Sequence, residues 1–229
     1  MVFDTNILII FGFFMLLSWL VGNRLKSKFA KYSRMGLRSG LSGREIAEKM
    51  LRDSGVSGVR VISTPGKLTD HYNPLDKTVN LSPDVYSGRS ISAAAVAAHE
   101  CGHAVQHARA YSFLKMRSAL VPVISVSSRY MQWILLIGIF TVQTFPGILL
   151  AGIIMFAMTT LFSFITLPVE FDATKRALVW LRETGLTVGE EHSNAKDALK
   201  WAALTYVVAA LASLATLLYY IMIFLGGRR

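Results

Sequence analysis

Cysteine is nearly absent. Cys101 stands alone among 229 residues, so no internal disulfide can form; the usual framework of a secreted fold is removed and a reducing compartment is implied. Charge is scarce too: 17% of residues are charged, against ~25% in a soluble domain. With 53% of the chain hydrophobic, that deficit excludes an ordinary soluble fold and points to the bilayer. Acidic residues are fewer still, 14 against 24 basic ones, giving a formal net charge of +10. Such an excess can mark nucleic-acid binding. Here, however, Lys and Arg bunch beside apolar runs, which reads as topology and contact with anionic headgroups, so no nucleic-acid partner is expected. No internal repeat or low-complexity tract is present.

Four apolar runs are what the chain has in abundance, each near the ~20 residues of a helical span. The first covers residues 5–22 and is followed by "NRLKSKFAKYSRMGLR" with no small-residue cleavage site, so it reads as a retained anchor. The second begins between 119 and 131 and ends near Thr144, the third covers 147–167 after Pro146-Gly147, and the last covers 201–225. Arg24, Lys26, Lys28, Lys31, Arg34 and Arg38 follow the first run, while Asp4 is the only charge before it and "TVQTFPG" carries none. Basic flanks face the cytoplasm. The expected topology therefore places the N-terminus outside and the loops 23–118 and 168–200 inside, with Arg228 and Arg229 a minor exception. Arg129 fits either a long helix with its charge near the interface or a charged intramembrane cavity, and the first reading is preferred.

Five regions follow: an anchor at 1–22, a cytoplasmic region at 23–118, a transmembrane hairpin at 119–167, a cytoplasmic segment at 168–200 and a final span at 201–229. In the first loop, "LSGREIAEKMLRDSGV" has a Ser42–Glu45 capping box, an apolar stripe of Ile46, Met50 and Leu51, and Gly55 as its stop, so an amphipathic helix is expected. "VRVIS" (59–63) and "KTVNLS" (77–82) alternate like strands, joined by "TPGKLTDHYNPLD" as a loop. A helix capped by Ser90 or Ser92 then carries "ISAAAVAAHECGHAVQHARAYSFL".

That helix contains the HExxH motif. His99 and His103 are four apart, hence on one face, and their imidazoles can converge on one metal ion. Glu100 lies beside the first ligand without occupying a ligand position, where a carboxylate can take a proton from an attacking water and pass it to a leaving amine. Zinc answers the remaining need, lowering the pKa of a water it holds to about 7. Alanine and glycine around the motif let neighbouring elements approach closely. A catalytic zinc needs a third protein ligand. His107 continues the series of four but lies two turns from His99, so it reads as a packing residue or a support for a ligand. Glu170 in "LPVEFDATKRAL" is the better candidate: it follows the third span, at the start of a helical pattern, on the side that holds the two histidines. Asp172 is a weaker candidate, suited to orienting a ligand imidazole. A donor to the developing oxyanion is also required, with His71, Tyr72 and His192 as candidates, the last read as a loop residue near a helix start.

The ordered set "LTDHYNP", "VNLS", "HECGHAVQH", "LPVEFDA" and "AALTYV" resembles the neutral zinc metallopeptidases of the YugP type in bacterial membranes, over nearly the whole chain. "EFDAT" is more distantly similar to the ligand segment of the heat-shock membrane peptidases and the prenyl-protein peptidases. The resemblance implies a zinc endopeptidase with His99, His103 and Glu170 as ligands and Glu100 as general base. In those distant relatives an aspartate follows the ligand glutamate by four positions. Here that position is Thr174, so the supporting carboxylate is missing or replaced by Asp172. The families also hold substrate against a strand beside the active-site helix, a role that falls here on "KTVNLS" as an edge strand.

The expected protein is a mainly α-helical integral membrane protein. It has about four transmembrane helices and a small zincin-like α+β cytoplasmic element carrying the HExxH helix. It sits as a multi-pass chain in the cell membrane, its site facing the cytoplasm, using Zn2+ to hydrolyse peptide bonds of a protein or peptide substrate. Quality control of membrane proteins is its expected duty. A homo-oligomer or a membrane accessory protein is left open. The rival is a membrane scaffold or chaperone with a structural or inactive zinc site, against which an intact Glu100 argues.

Overall fold

The computed structural model describes residues 5–226; Asp4, Arg228 and Arg229, which enter the orientation argument, lie outside the described residues. Seven helices and three strands follow in order: α1 Thr5–Tyr32, α2 Gly43–Asp53, β1 Arg60–Ser63, β2 His71–Asn73, β3 Thr78–Leu81, α3 Pro83–Tyr86, α4 Ile91–Ala108, α5 Ser112–Thr141, α6 Pro146–Glu183 and α7 Glu190–Gly226. Mainly helical membrane architecture with a small sheet is therefore what the chain adopts. Among the described residues, four stretches are long and apolar enough to cross a bilayer: Leu8–Tyr32, Ser112–Thr141, Pro146–Glu183 and Glu190–Gly226. The chain divides into two compact units.

One unit holds the described residues up to Leu20, Lys115–Leu167 and the chain from Thr205 on. Many of its large apolar side chains point outward, Trp19, Trp133 and Met222 among them, as expected where lipid is the solvent, while Leu135, Leu149 and Ile153 form a small buried cluster. Several of its hydroxyls are paired within their own helices. Thr141, Thr159, Thr160, Ser163 and Thr216 each bond a carbonyl one turn back, and the Thr160 and Ser213 hydroxyls meet at 2.7 Å. The α5–α6 hairpin is close because a Cβ on Gly152 would come within 2.8 Å of Leu135. Arg129 is exposed on α5, a single helix beginning at Ser112, well before Ala119.

The other unit holds Val21–Leu114 and Pro168–Leu204. At its centre lies α4, and the abundance of alanine there has a packing cause. Ala94, Ala95, Ala97, Ala98, Cys101 and Ala104 are buried against Ile46, Ala47 and Met50 of α2, Val79 and Leu81 of β3, Ala177 and Leu181 of α6, and Ala195 and Leu199 of α7. A helix enclosed on every side admits only small side chains at close interaxial distance. Ser90 caps α4, its hydroxyl accepting from the Ala93 amide. Both halves of the capping box form on α2, and Gly55 at φ +67° ends it in the left-handed conformation.

Four expectations need correction. The segment between the first two expected strands is not all loop, because His71–Asn73 forms β2, antiparallel to β3. With β1 parallel to β3 on its other side, the order is β1-β3-β2, so "KTVNLS" supplies the central strand and not an edge. Helix α4 stops at Ala108, ended by Ala110 at φ +52°, short of Leu114. Finally, Glu170 does not start a helix. Pro168 is accommodated inside a continuous α6, at the loss of one backbone hydrogen bond.

Candidate metal centre

The site begins with the spacing on α4. His99 and His103, four residues apart, stack edge to face with ring centroids 4.8 Å apart at 84°. Facing them on α6 is a stripe at i, i+3, i+4 and i+7: Glu170, Ala173, Thr174 and Ala177. Two helices bring these rows together because residue 102 has no side chain. A Cβ there would lie 2.6 Å from the Ala173 carbonyl oxygen. Gly102 is thus the contact point that lets α6 present Glu170 to the histidines.

Glu170, 2% exposed, places Oε2 3.3 Å from His99 Nε2 and 3.6 Å from His103 Nε2. One donor atom from each of the three residues falls within 4.8 Å of the other two. Around a tetrahedral zinc with bonds of ~2.0–2.1 Å, neighbouring ligand atoms are ~3.3 Å apart. The observed separations and the donor set of two imidazoles and one carboxylate fit a three-ligand zinc centre.

The far nitrogens of both rings are also engaged. His99 Nδ1 lies 3.2 Å from Thr174 Oγ1, and His103 Nδ1 lies 3.0 Å from Gln106 Oε1. Gln106 is fully buried, and its amide nitrogen donates to the Val169 carbonyl and to Asp172 Oδ2, both at 2.8 Å. With its NH2 so committed, Gln106 can only accept from His103. A proton on His103 Nδ1 is thereby fixed, and Nε2 is the ring nitrogen that faces Glu170. Arg176 holds Asp172 in turn, Nε to Oδ2 at 2.5 Å. In the absence of metal, burial lowers the His103 pKa, but the bond and charge of Glu170, the charge of Glu100 and the Gln106 bond outweigh it and raise the pKa above its usual value.

Glu100, 8% exposed, lies next to His99 on the same helix, and no hydrogen bond or ion pair engages its carboxylate among the described residues. Cys101 faces away, its thiol donating to the Ala47 carbonyl at 3.5 Å; burial, then the charge of Glu100, pushes its pKa well up. It packs as a small apolar group.

The remaining candidates separate. His107 is exposed and stands apart from the three donors, with Nδ1 2.7 Å from the Tyr72 hydroxyl. Burial raises the Tyr72 pKa, which keeps the phenol protonated. His71 is exposed and bonds the Thr69 carbonyl at 2.7 Å. His192 bonds Thr187 Oγ1 at 3.0 Å and lies in the first turn of α7, not in a loop. Asp172 reaches His103 only through Gln106, and Thr174 takes the place of the aspartate of the more distant relatives. Gln106 was not among the candidates. Its signal is an amide three residues after His103, on a helix face that is otherwise apolar.

A mostly helical membrane protein that brings HExxH histidines and a distant glutamate to one point has the architecture of a membrane metallopeptidase. The chain belongs to the family described as "Putative neutral zinc metallopeptidase", which matches residues 7–225. It is also 42% identical over 205 residues to the "Putative membrane protease YugP" of Bacillus subtilis (strain 168), with 90% of each chain covered. No solved structure matches the chain significantly.

Proposed function

We propose that this chain is a zinc endopeptidase acting at the cytoplasmic face of the cell membrane, with His99, His103 and Glu170 holding the metal. One observation carries the reading: donor atoms of these three side chains lie within 4.8 Å of one another. When bound there, zinc supplies a Lewis acid that lowers the pKa of water to about 7 and polarises a carbonyl. Glu100 accepts the proton of the attacking water and returns it to the amine nitrogen as the peptide bond breaks. The Tyr72 hydroxyl, accepting from His107 Nδ1–H, keeps its own proton for the carbonyl oxygen as charge develops there. Supporting that role, His107 lies one turn beyond His103 on the same side of α4, and its bond to Tyr72 is 2.7 Å. The outer edge of β2, which carries Tyr72, is the place for an extended substrate, the role expected of "KTVNLS". Orientation toward the cytoplasm rests on the six basic residues at 24–38 and the uncharged turn between the second and third spans. The substrate class is polypeptide, and turnover of membrane proteins is the duty we assign.

The test is metal content and cleavage of an unfolded membrane protein by wild type, Glu100→Gln and Glu170→Ala. About one zinc per chain is expected in wild type and Glu100→Gln, with cleavage by wild type alone and a marked metal loss in Glu170→Ala. Equal cleavage by wild type and Glu100→Gln, or none by zinc-loaded wild type, would favour the scaffold reading. Full metal content in Glu170→Ala would remove it from the ligand set.

A further inference from the structure

The sheet has two edges, and only the β2 edge is tied to α4 through Tyr72 and His107. On the other edge, β1 pairs with β3 alone. Arg60 N–H donates to the Lys77 carbonyl at 3.0 Å and Thr64 N–H to the Leu81 carbonyl at 2.8 Å. Alternation along the strand turns the main-chain groups of Val61 and Ser63 outward. No strand pairs with them among the described residues. Against that edge lies a groove of about 440 Å³, lined by Leu51 and Arg52 of α2, Val56 and Val59 of the following loop, and Val61 and Ile62 of β1. No residue of β2 or β3 lines it, so it opens away from the sheet.

The groove is apolar at its base and basic at its rim. Arg52 and Arg60 are exposed, and neither forms a salt bridge among the described residues, although the charge of Arg52 acts on the neighbouring Asp53. Glu48, the acidic residue of the lining, is already taken by Arg44 at 2.7 Å. β1 itself carries no proline, and among the described residues no strand pairs with its outer side.

We propose that the outer edge of β1 docks an extended, acidic segment of another polypeptide, which adds to the sheet as a fourth strand. Val61 and Ser63 supply the backbone bonds, alternate apolar side chains of the guest enter the groove, and its carboxylates meet Arg52 and Arg60. Docking and cleavage then occupy opposite edges of one sheet, so a protein held at β1 leaves β2 free.

The experiment measures fluorescence anisotropy of a labelled decapeptide of alternating Val and Glu with the full chain carrying Glu100→Gln, in detergent micelles. Binding should be at least about tenfold weaker to Val61→Pro and to Arg52→Glu/Arg60→Glu, and an alternating Val–Lys decapeptide should bind at least about tenfold more weakly than the Val–Glu peptide. Proline at 61 costs no existing ladder bond because that N–H points outward, and unchanged thermal unfolding of each variant checks that it is folded. Chelation should leave affinity unchanged within about twofold, since the groove has no part in metal binding; this arm reads separately from any failure of peptidase activity. Absence of binding, equal binding by Val61→Pro, or loss of binding on chelation would overturn the proposal. So would Arg52- and Arg60-dependent binding to phosphatidylglycerol vesicles accompanied by no peptide binding, which would mark a headgroup patch.

Discussion

Replacing Gln106 by leucine tests the logic of the site more sharply than replacing a ligand. The amide is fully buried and makes three contacts: His103 Nδ1 at 3.0 Å, the Val169 carbonyl at 2.8 Å and Asp172 Oδ2 at 2.8 Å. Leucine fills nearly the same volume but satisfies none of them. Asp172 keeps Arg176 and the Val169 carbonyl lies within the hydrogen-bonded turns of α6, so the group left without a partner is the His103 N–H. A stability loss of ~1–3 kcal/mol, the cost of one buried orphan, follows. Metal affinity should fall ~10–100-fold, the usual consequence of removing a group that orients a ligand histidine. Zinc affinity would be measured by competition with a chromophoric chelator and stability by thermal unfolding of the metal-free protein. A variant that unfolds earlier yet binds zinc within twofold of wild type would refute the argument that Gln106 orients His103. Gln106→Glu separates volume from charge: it sets a second carboxylate where the amide donates to Asp172, and affinity should fall at least as far as with leucine.

Further outcomes follow from the same contacts. Gly102→Ala should cost ~1–3 kcal/mol by overpacking and lose metal as well, because the new methyl forces α6 and Glu170 away from α4; retained zinc at wild-type stability would refute this. Ser42→Ala removes the α2 cap and should lower stability by ~0.5–2 kcal/mol, seen as a lower Tm with zinc content unchanged. Chelating the metal should lower the Tm by an amount that grows with the zinc concentration before chelation, since zinc at 1,000 times its Kd adds ~4 kcal/mol to a folded state that alone binds it. A Tm independent of zinc would show that the three side chains do not form a resident metal site.

Periodic features were readable from the chain because a local rule dictated them. The capping box at Ser42 and Glu45, the spacing of His99 and His103 and the apolar runs each depend on residues within a few positions, whereas Pro146-Gly147, expected as a turn, instead opens α6 just after the turn at 142–144. Glu170 was reachable only by topology and resemblance, since it lies 67 positions after His103 and no local pattern links the two. The strand His71–Asn73 was missed for the opposite reason. Three residues flanked by Asp70 and Pro74 have no periodicity, and their strand character comes from pairing with β3. Misplacing β3 at an edge followed directly from missing the neighbour that covers it. Gln106 was invisible because an amide on an alanine helix has no meaning until Val169, Asp172 and His103 surround it.

The alanine content of α4 and the chemistry of α6 are one design constraint seen from two sides. A third ligand from a distant helix must arrive within tenths of an ångström of a point that two histidines define, and the register of α6 decides whether it does. Bulky apolar side chains would have held the helices at an ordinary separation, with Glu170 withdrawn. Small residues along α4, and above all Gly102 against the Ala173 carbonyl, allow the backbones themselves to set the spacing. Glu170, Ala173, Thr174 and Ala177 then act as one row: the carboxylate proposed as a ligand, two contact alanines and a hydroxyl on the far nitrogen of His99. A one-residue slip of α6 would rotate the row by ~100° and lose all four together. The helix interface therefore brings the three donors together, and the HExxH motif alone does not.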